Sequence, residues 1–217
     1  MNFPGAEIIG IAQAREILSG RVSADVLRDD LMLEEPEDGS GVLRIPGGTT
    51  VFGGLALDWE NAVLDGKRLR GLLVDGDVTI DGDITSANWD GGPFLAVTGR
   101  TSVRHIFKRG APIVCLGPLE ATGSIYCEYN HGCLRALGGL KAQALIIDDH
   151  CCELRGTVDA IVFDTRQDDP RTFLLDRFWY EEDDGEVFLV DDIAEVLISE
   201  IRGGNAVFRA DAPRRSR

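Results

Sequence analysis

Five short apolar runs, each closed by glycine, recur in the middle of the chain: LLVDG (72–76), FLAVTG (94–99), IVCLG (113–117), LRALGG (134–139) and ELRG (153–156). Their glycines, Gly76, Gly99, Gly117, Gly138 and Gly156, are separated by 23, 18, 21 and 18 residues. Self-similarity at about 20 residues is typical of solenoids, in which each repeat packs against its neighbours. The pattern predicts a mainly β fold, a parallel β-helix of about five coils.

A polar corner repeats alongside the apolar runs, at Asp90, Arg109, His131 and His150. The spacings are 19, 22 and 19 residues, close to those of the glycines. Six residues before each corner lies an apolar residue: Ile84, Val103, Ile125 and Ala144. Because successive coils stack side chains inward, we expect these four to form one interior column.

Helical patterns on both sides of the repeat predict short caps at the N- and C-termini. Residues 1–41 are predicted to form a helical N-terminal cap and linker, with Ile11–Ser19 as a helix that Gly20 ends. The β-solenoid is predicted over 42–165. An acidic loop and a capping helix follow over 166–209, and 210–217 is expected to be a disordered tail.

Composition limits the classes of function. A chain of 217 residues with 44% hydrophobic residues can bury one substantial core, and no apolar run reaches the roughly 20 residues of a membrane span. The first residues lack the pattern of a signal peptide, so we expect a cytoplasmic protein with its five cysteines reduced. The net charge of −15 argues against nucleic acid and anionic lipid. It favours a cationic protein partner, or serves solubility alone.

The cluster DDHCC at 148–152 holds the residue types that chemistry would need. Stacking at about 4.8 Å would bring His131 beside His150 and Cys133 beside Cys152, and imidazole, carboxylate and thiolate are zinc ligands. The spacing lacks the two ligand pairs of common zinc sites, and buried cysteines often serve as small hydrophobes. We therefore predict no metal, no cofactor and no catalytic residues. A metal-dependent enzyme that uses Asp148–Cys152 stays a minor alternative.

The edge that carries the corners is the predicted binding surface. Trp89, Lys108, Asn130 and Asp149 each lie one residue before a corner. The predicted partner-binding residues are Trp89, Tyr129, Asn130, His131, Asp148, Asp149 and His150. Glu128 and Asp148 are expected to steer a basic partner towards them. The sequence leaves open whether Trp89 and Tyr129 only cover the edge of the core.

The stretch LLVDGDVTIDGDI at 72–84 resembles the bactofilin-like, polymer-forming cytoskeletal proteins of bacteria. That resemblance implies a right-handed β-helix that stacks end to end into filaments without nucleotide or metal. Polar insertions such as CEYNHG (127–132) and the helical, acidic flanks depart from the pattern. Since amphipathic helices at both termini would close the ends of the stack, we expect a monomer or small oligomer.

The small, acidic, non-catalytic character with a mixed aromatic and polar face is also similar to that of the immunity proteins of polymorphic toxin systems. On this resemblance we expect a protein that binds and neutralises a toxin, with a basic toxin domain as the partner. A bactofilin-like scaffold is the alternative function.

Overall fold

The structure, a computed structural model, describes residues 3–33, 39–129 and 131–216 and is mainly β, as predicted. The strands are β1 (Glu7–Ile9), β2 (Gly41–Pro46), β3 (Thr49–Phe52), β4 (Leu55–Ala56), β5 (Val63–Leu64), β6 (Lys67–Asp75), β7 (Val78–Ser86), β8 (Phe94–Val97), β9 (Thr101–Lys108), β10 (Ile113–Cys115), β11 (Leu119–Ala121), β12 (Ser124–Glu128), β13 (Cys133–Ala136), β14 (Leu140–Asp148), β15 (Cys151–Leu154), β16 (Val158–Asp164), β17 (Trp179–Glu181), β18 (Val187–Leu189) and β19 (Arg214–Ser216). The helices are α1 (Ile11–Leu18), α2 (Pro170–Phe173) and α3 (Ile193–Arg202), with a π-helical turn at Val26–Asp30 and 3₁₀ turns at Trp59–Asn61 and Asp176–Phe178.

Two sheets enclose one interior. The first sheet has the order β1-β2-β6-β8-β10-β13-β15, and the second has the order β3-β7-β9-β11-β14-β16-β19, with β12 also beside β9 and β14. Neighbouring strands are parallel from β2 through β15 in the first sheet and from β3 through β16 in the second. Because the chain passes alternately through the two sheets, each pass adds one turn to a stack. The predicted β-solenoid is therefore confirmed.

The predicted glycine register is also confirmed in the first sheet. Val74, Val97, Cys115 and Ala136 are successive partners across β6, β8, β10 and β13. The glycines two residues after each of them consequently lie one above another. A Cβ on Gly117 would collide with the backbone of Gly99, and one on Gly138 with the backbone of Gly117. Close approach of successive coils therefore requires glycine at these stacked positions.

The predicted interior column is wrong in register, although the residues that replace it are equally apolar. Ile84 pairs with Ile106, not with Val103, and the column continues through Ile125 and Leu145. Val103 instead lies beside Ile80, and Ala144 beside Ser124. The register shifts between Ile80 and Asp83 and again between Lys141 and Ala144. Each shift inserts unpaired residues into one strand, so a fixed count of six residues back from each corner does not reach the same position in every coil.

The helices cover the sides of the stack and not its ends, which corrects the predicted caps. Leu18 of α1 and Leu31 pack with Leu73 and Phe94 on the outer face of the first sheet. Leu197 of α3 belongs to a separate cluster on the outer face of the second sheet. Strands of parallel sheets are apolar on both faces, so each outer face needs a cover. Residues 34–38 of the predicted linker lie outside the described residues.

Short antiparallel strands occupy one sheet edge at each end of the stack. At the N-terminal end β1 pairs with β2. At the C-terminal end β19 pairs with β16, so the predicted disordered tail is corrected over residues 214–216. The Arg214 guanidinium also lies 3.2 Å from the carbonyl oxygens of Ala142 and Gln143 and 3.0 Å from a carboxylate oxygen of Asp159. These contacts, together with the pairing to the edge of β16, hold residues 214–216 in place.

Candidate functional site at the aromatic corner

Three predicted binding residues meet where the second sheet turns into the first. The Trp89 and Tyr129 rings have centroids 5.1 Å apart in an edge arrangement, and the rings of Tyr129 and His131 are 4.7 Å apart. The Arg109 guanidinium lies over the Trp89 ring, 3.9 Å from its centroid. Trp89 nevertheless stays 44% exposed. We call Trp89, Arg109, Tyr129 and His131 the aromatic corner.

The polar side chains of the aromatic corner have partners within the molecule. Nδ1 of His131 lies 2.9 Å from a carboxylate oxygen of Asp90, whose side chain is exposed. Nε of Arg109 donates to a carboxylate oxygen of Glu128 at 2.8 Å. Glu128 is therefore engaged in an ion pair and largely buried, which differs from the free steering charge that we expected from the sequence.

The backbone at this corner is held in an uncommon conformation. Tyr129 has φ +75° and Asp149 has φ +51°, values that residues with a side chain rarely adopt. The Tyr129 amide donates to the Asp148 carbonyl oxygen at 2.9 Å, and its own carbonyl oxygen lies 2.5 Å from Nδ1 of His150. Such strain costs about 1–3 kcal/mol per residue and persists only where the surroundings fix it. The backbone that carries the Tyr129 ring is consequently held in a defined position.

Two other predicted residues, Asp148 and Asp149, contact side chains next to the aromatic corner. Asp148 accepts hydrogen bonds from the Tyr126 hydroxyl at 3.1 Å and from the Thr165 hydroxyl at 2.7 Å. Burial, followed by the Asp148 charge, raises the pKa of Tyr126. Asp149 forms an ion pair with Arg166. Asn130, which we also predicted to bind a partner, lies outside the described residues.

Lys108 is buried, which corrects its predicted place on the exposed face. Its side chain is 1% exposed, and its strand neighbours are Ser86 and Cys127. Nζ donates to the Arg109 carbonyl oxygen at 2.9 Å and lies 2.5 Å from Nε2 of His150. Burial lowers the pKa of Lys108. The signal was present in the sequence, because side chains two residues apart in a strand share a face and Ile106 is interior.

His150 connects the buried lysine to the corner. Since Nδ1 lies against the Tyr129 carbonyl oxygen, that nitrogen carries the proton and Nε2 accepts from Nζ of Lys108. Burial, and then the Lys108 charge, lowers the pKa of His150 to about 4. His131 and His150, predicted to be neighbours, both contact Tyr129, the first through its ring and the second through the Tyr129 carbonyl oxygen. His131 faces solvent, whereas His150 is half-buried.

The cysteines differ from the predicted stacking by one residue. Cys133 is the strand partner of Cys151, and Cys152 is the partner of Leu134. Burial raises the pKa of Cys133 to about 12 and that of Cys115 to about 11, so both thiols stay protonated at neutral pH. Among the residues that the structure describes, no group of three or more histidine, cysteine or acidic side chains is arranged to hold a metal ion.

A concave surface that sequence reasoning missed lies between the second sheet and the segment after α3. The cleft measures about 410 Å³ and is lined by Arg104, His105 and Arg214 among others. Burial lowers the pKa of His105, whose Nδ1 accepts from the Ser124 amide at 3.0 Å. Arg104 is paired with Asp83, and Arg214 with Asp159. Because these cations are already neutralised, the cleft is a weaker candidate than the aromatic corner.

Comparison of the chain with protein-family models, with curated proteins and with solved structures finds no match. Within the described part of the chain, no helix combines the length and the apolar character that crossing a membrane requires.

Proposed function

We propose that this chain is a non-catalytic β-solenoid that binds a protein partner, most concretely a toxin-neutralising immunity protein of the bacterial cytoplasm. The observation that supports the proposal is the aromatic corner, where exposed Trp89 contacts Tyr129 and is covered on one face by Arg109. Tryptophan, tyrosine and arginine are the residue types most enriched among interface hot spots. A corner built from all three is suited to anchor a partner.

Rigidity strengthens the proposal. The corner is fixed by the positive φ of Tyr129, by the Asp148 carbonyl oxygen and by the His150 ring. Side chains held in place before binding lose little conformational entropy when a partner covers them, so more of the contact energy appears as affinity.

Charge indicates the kind of partner. The net charge of −15 favours association with a cationic surface and speeds the encounter at low salt. Since Glu128 and Asp148 are engaged inside the molecule, exposed acids elsewhere, such as Asp183 and Asp184, contribute to this attraction instead. Rising salt should therefore slow association more than it speeds dissociation.

The test uses the product of the reading frame next to the gene for this chain as the candidate partner. Calorimetric titration should show binding to the full-length protein, and Trp89→Ala should weaken it about 30-fold, equivalent to about 2 kcal/mol. Phe52, exposed at the end of β3, supplies the control: Phe52→Ala should change the affinity less than about twofold. Lack of binding, or equal affinity for wild type and Trp89→Ala, contradicts the proposal.

A bactofilin-like scaffold is the second candidate, favoured by the sheet edges at the ends of the stack. Over the described residues, β15 ends the first sheet and β3 ends the second, at opposite ends of the molecule. Unpaired strand edges can pair with another copy. We nevertheless propose a monomer or small oligomer, because β1 and β19 occupy the other two edges and the net charge opposes close stacking. Electron microscopy that reveals filaments at physiological salt would favour the scaffold.

We further propose that the solenoid winds to the right and has about five coils. Connections between parallel strands of one sheet are right-handed in about 98% of cases, because the twist of the strands favours that path. A crystal structure with left-handed winding would contradict this part of the proposal without affecting the aromatic corner.

A further inference from the structure

A second exposed aromatic surface lies on the hairpin of β17 and β18. The hairpin is a separate two-stranded antiparallel sheet in which Tyr180 pairs with Phe188 and Trp179 with Leu189. Trp179 and Leu189 pack against the cluster under α3. Tyr180 and Phe188 point the other way and are 46% and 38% exposed, with ring centroids 5.7 Å apart and nearly parallel. Among the described residues, no third strand pairs with this hairpin.

Carboxylates flank these two aromatic residues along the chain. The segment 181–192 holds seven acidic residues: Glu181, Glu182, Asp183, Asp184, Glu186, Asp191 and Asp192. Glu181 pairs with Arg171 at 3.1 Å. The other six form no ion pair with any described residue. We call residues 179–192 the acidic hairpin. Because six of its carboxylates form no ion pair with a described residue, it keeps a large negative charge.

A groove lies between the acidic hairpin and the loop 165–170. It measures about 450 Å³ and runs between the loop 165–170 and the strand Val187–Leu189, with Phe188 among its lining residues. Arg166 of the same loop pairs with Asp149, and Thr165 bonds to Asp148, the residues behind the aromatic corner. An extended segment of a partner could thus contact both surfaces of one rigid body.

We propose that the exposed Tyr180–Phe188 face and its groove dock an arginine-rich segment of a protein partner. Two independent features favour a guanidinium: aromatic faces attract cations, and the unpaired carboxylates around them can accept its hydrogen bonds. A planar guanidinium stacks on a ring better than a lysine ammonium does, so arginine is preferred. This inference rests on the proposed function in that it names a second contact for the same cationic partner.

The first test measures binding of a fluorescent hexa-arginine peptide to the full-length protein at 150 mM salt. The double variant Tyr180→Ser/Phe188→Ser leaves the net charge unchanged and should weaken binding at least tenfold. Phe52→Ser, which removes an aromatic side chain that is 78% exposed on the distant strand β3, should change binding less than twofold. Hexa-lysine should bind wild type more weakly than hexa-arginine. Equal affinity for wild type and the double variant, or an equal loss with Phe52→Ser, would overturn the proposal.

The second test separates local carboxylates from net charge. Glu182→Gln/Asp183→Asn in the acidic hairpin should weaken hexa-arginine binding several-fold more than Asp25→Asn/Asp211→Asn, which removes the same charge from exposed sites elsewhere. Equal losses of affinity in the two double variants would mean that only the overall charge attracts the peptide, and this would contradict the proposal.

The two sets of variants test the proposed function and this inference independently. If the hairpin variants bind hexa-arginine normally while Trp89→Ala loses the neighbouring gene's product, the hairpin inference is wrong and the proposed function stands. If the hairpin variants lose the peptide while Trp89→Ala keeps the product, the hairpin is the docking surface and the aromatic corner is not.

Discussion

Acidification should destabilise the fold through the imidazole of His150. In the folded protein, burial and the neighbouring Lys108 amine lower the pKa of His150 from 6.5 to about 4. Between these two values the unfolded chain binds a proton that the folded chain does not. The free energy of unfolding therefore falls as the pH falls through this window, and the contribution of neutral His150 is fully present above it.

The magnitude follows from the displacement of the pKa. One pKa unit corresponds to about 1.4 kcal/mol, so the shift to about 4 amounts to about 3 kcal/mol once the folded protein is protonated too. At pH 4.5 most of this difference has been reached. Because the ring is only partly buried, solvent screening reduces the expected loss to about 2 kcal/mol.

Carboxylates titrate in the same window, so the assay compares variants. Urea unfolding at pH 7.5 and pH 4.5 gives the cost of His150→Gln at each pH, and Lys108 and the carboxylates are present in both proteins. We expect that cost to fall by about 2 kcal/mol on acidification. Val162→Ala, a truncation of a buried apolar side chain, should show the same cost at both pH values. A cost of His150→Gln that changes by less than about 0.5 kcal/mol would refute the reasoning.

Two further substitutions, each with a control, and one truncation test the architecture by urea unfolding and hydrogen exchange. Gly117→Ala should cost more than about 3 kcal/mol, because its Cβ collides with the next coil, whereas Gly10→Ala, which meets no atom within 4 Å, should cost less than about 1 kcal/mol. Leu197→Ala should cost about 2–4 kcal/mol and Val196→Ala less than about 1 kcal/mol, since only Leu197 faces the second sheet; equal costs would mean that α3 does not cover it. Ending the chain at Pro213 should speed hydrogen exchange along β16, and unchanged exchange would mean that β19 does not protect that edge.

The repeat could be predicted from the sequence because it depends on backbone contacts between coils. At Gly99, Gly117 and Gly138 a side chain has no room, so glycine recurs at the interval of the coil and marks the register directly. The interior column could not be counted in the same way. Many apolar residues could fill an interior position equally well, so residue type does not mark the register. The shift between Ile80 and Asp83 also changes the number of residues between interior positions, and nothing in the composition signals it.

The candidate site was predicted in outline but not in detail. Trp89, Tyr129 and His131 are brought together as the corner repeat indicates. The burial of Lys108 follows from its place two residues after the interior Ile106 in β9, but its partners, a carbonyl oxygen and Nε2 of His150, lie one and forty-two residues away in the sequence. Contacts of that kind depend on the three-dimensional path of the corner, which periodicity does not specify.

The edges of the two sheets bear most directly on the choice between a scaffold and a partner-binding protein. A filament that continues the solenoid needs parallel edges of both sheets at the same end, so that a second copy can extend each sheet in register. Here the first sheet carries antiparallel β1 at the N-terminal end, and the second carries antiparallel β19 at the C-terminal end. Each end therefore combines one parallel edge with one antiparallel strand. A second copy could not continue both sheets in parallel, and this asymmetry supports the proposal that the sides of the molecule make its contacts.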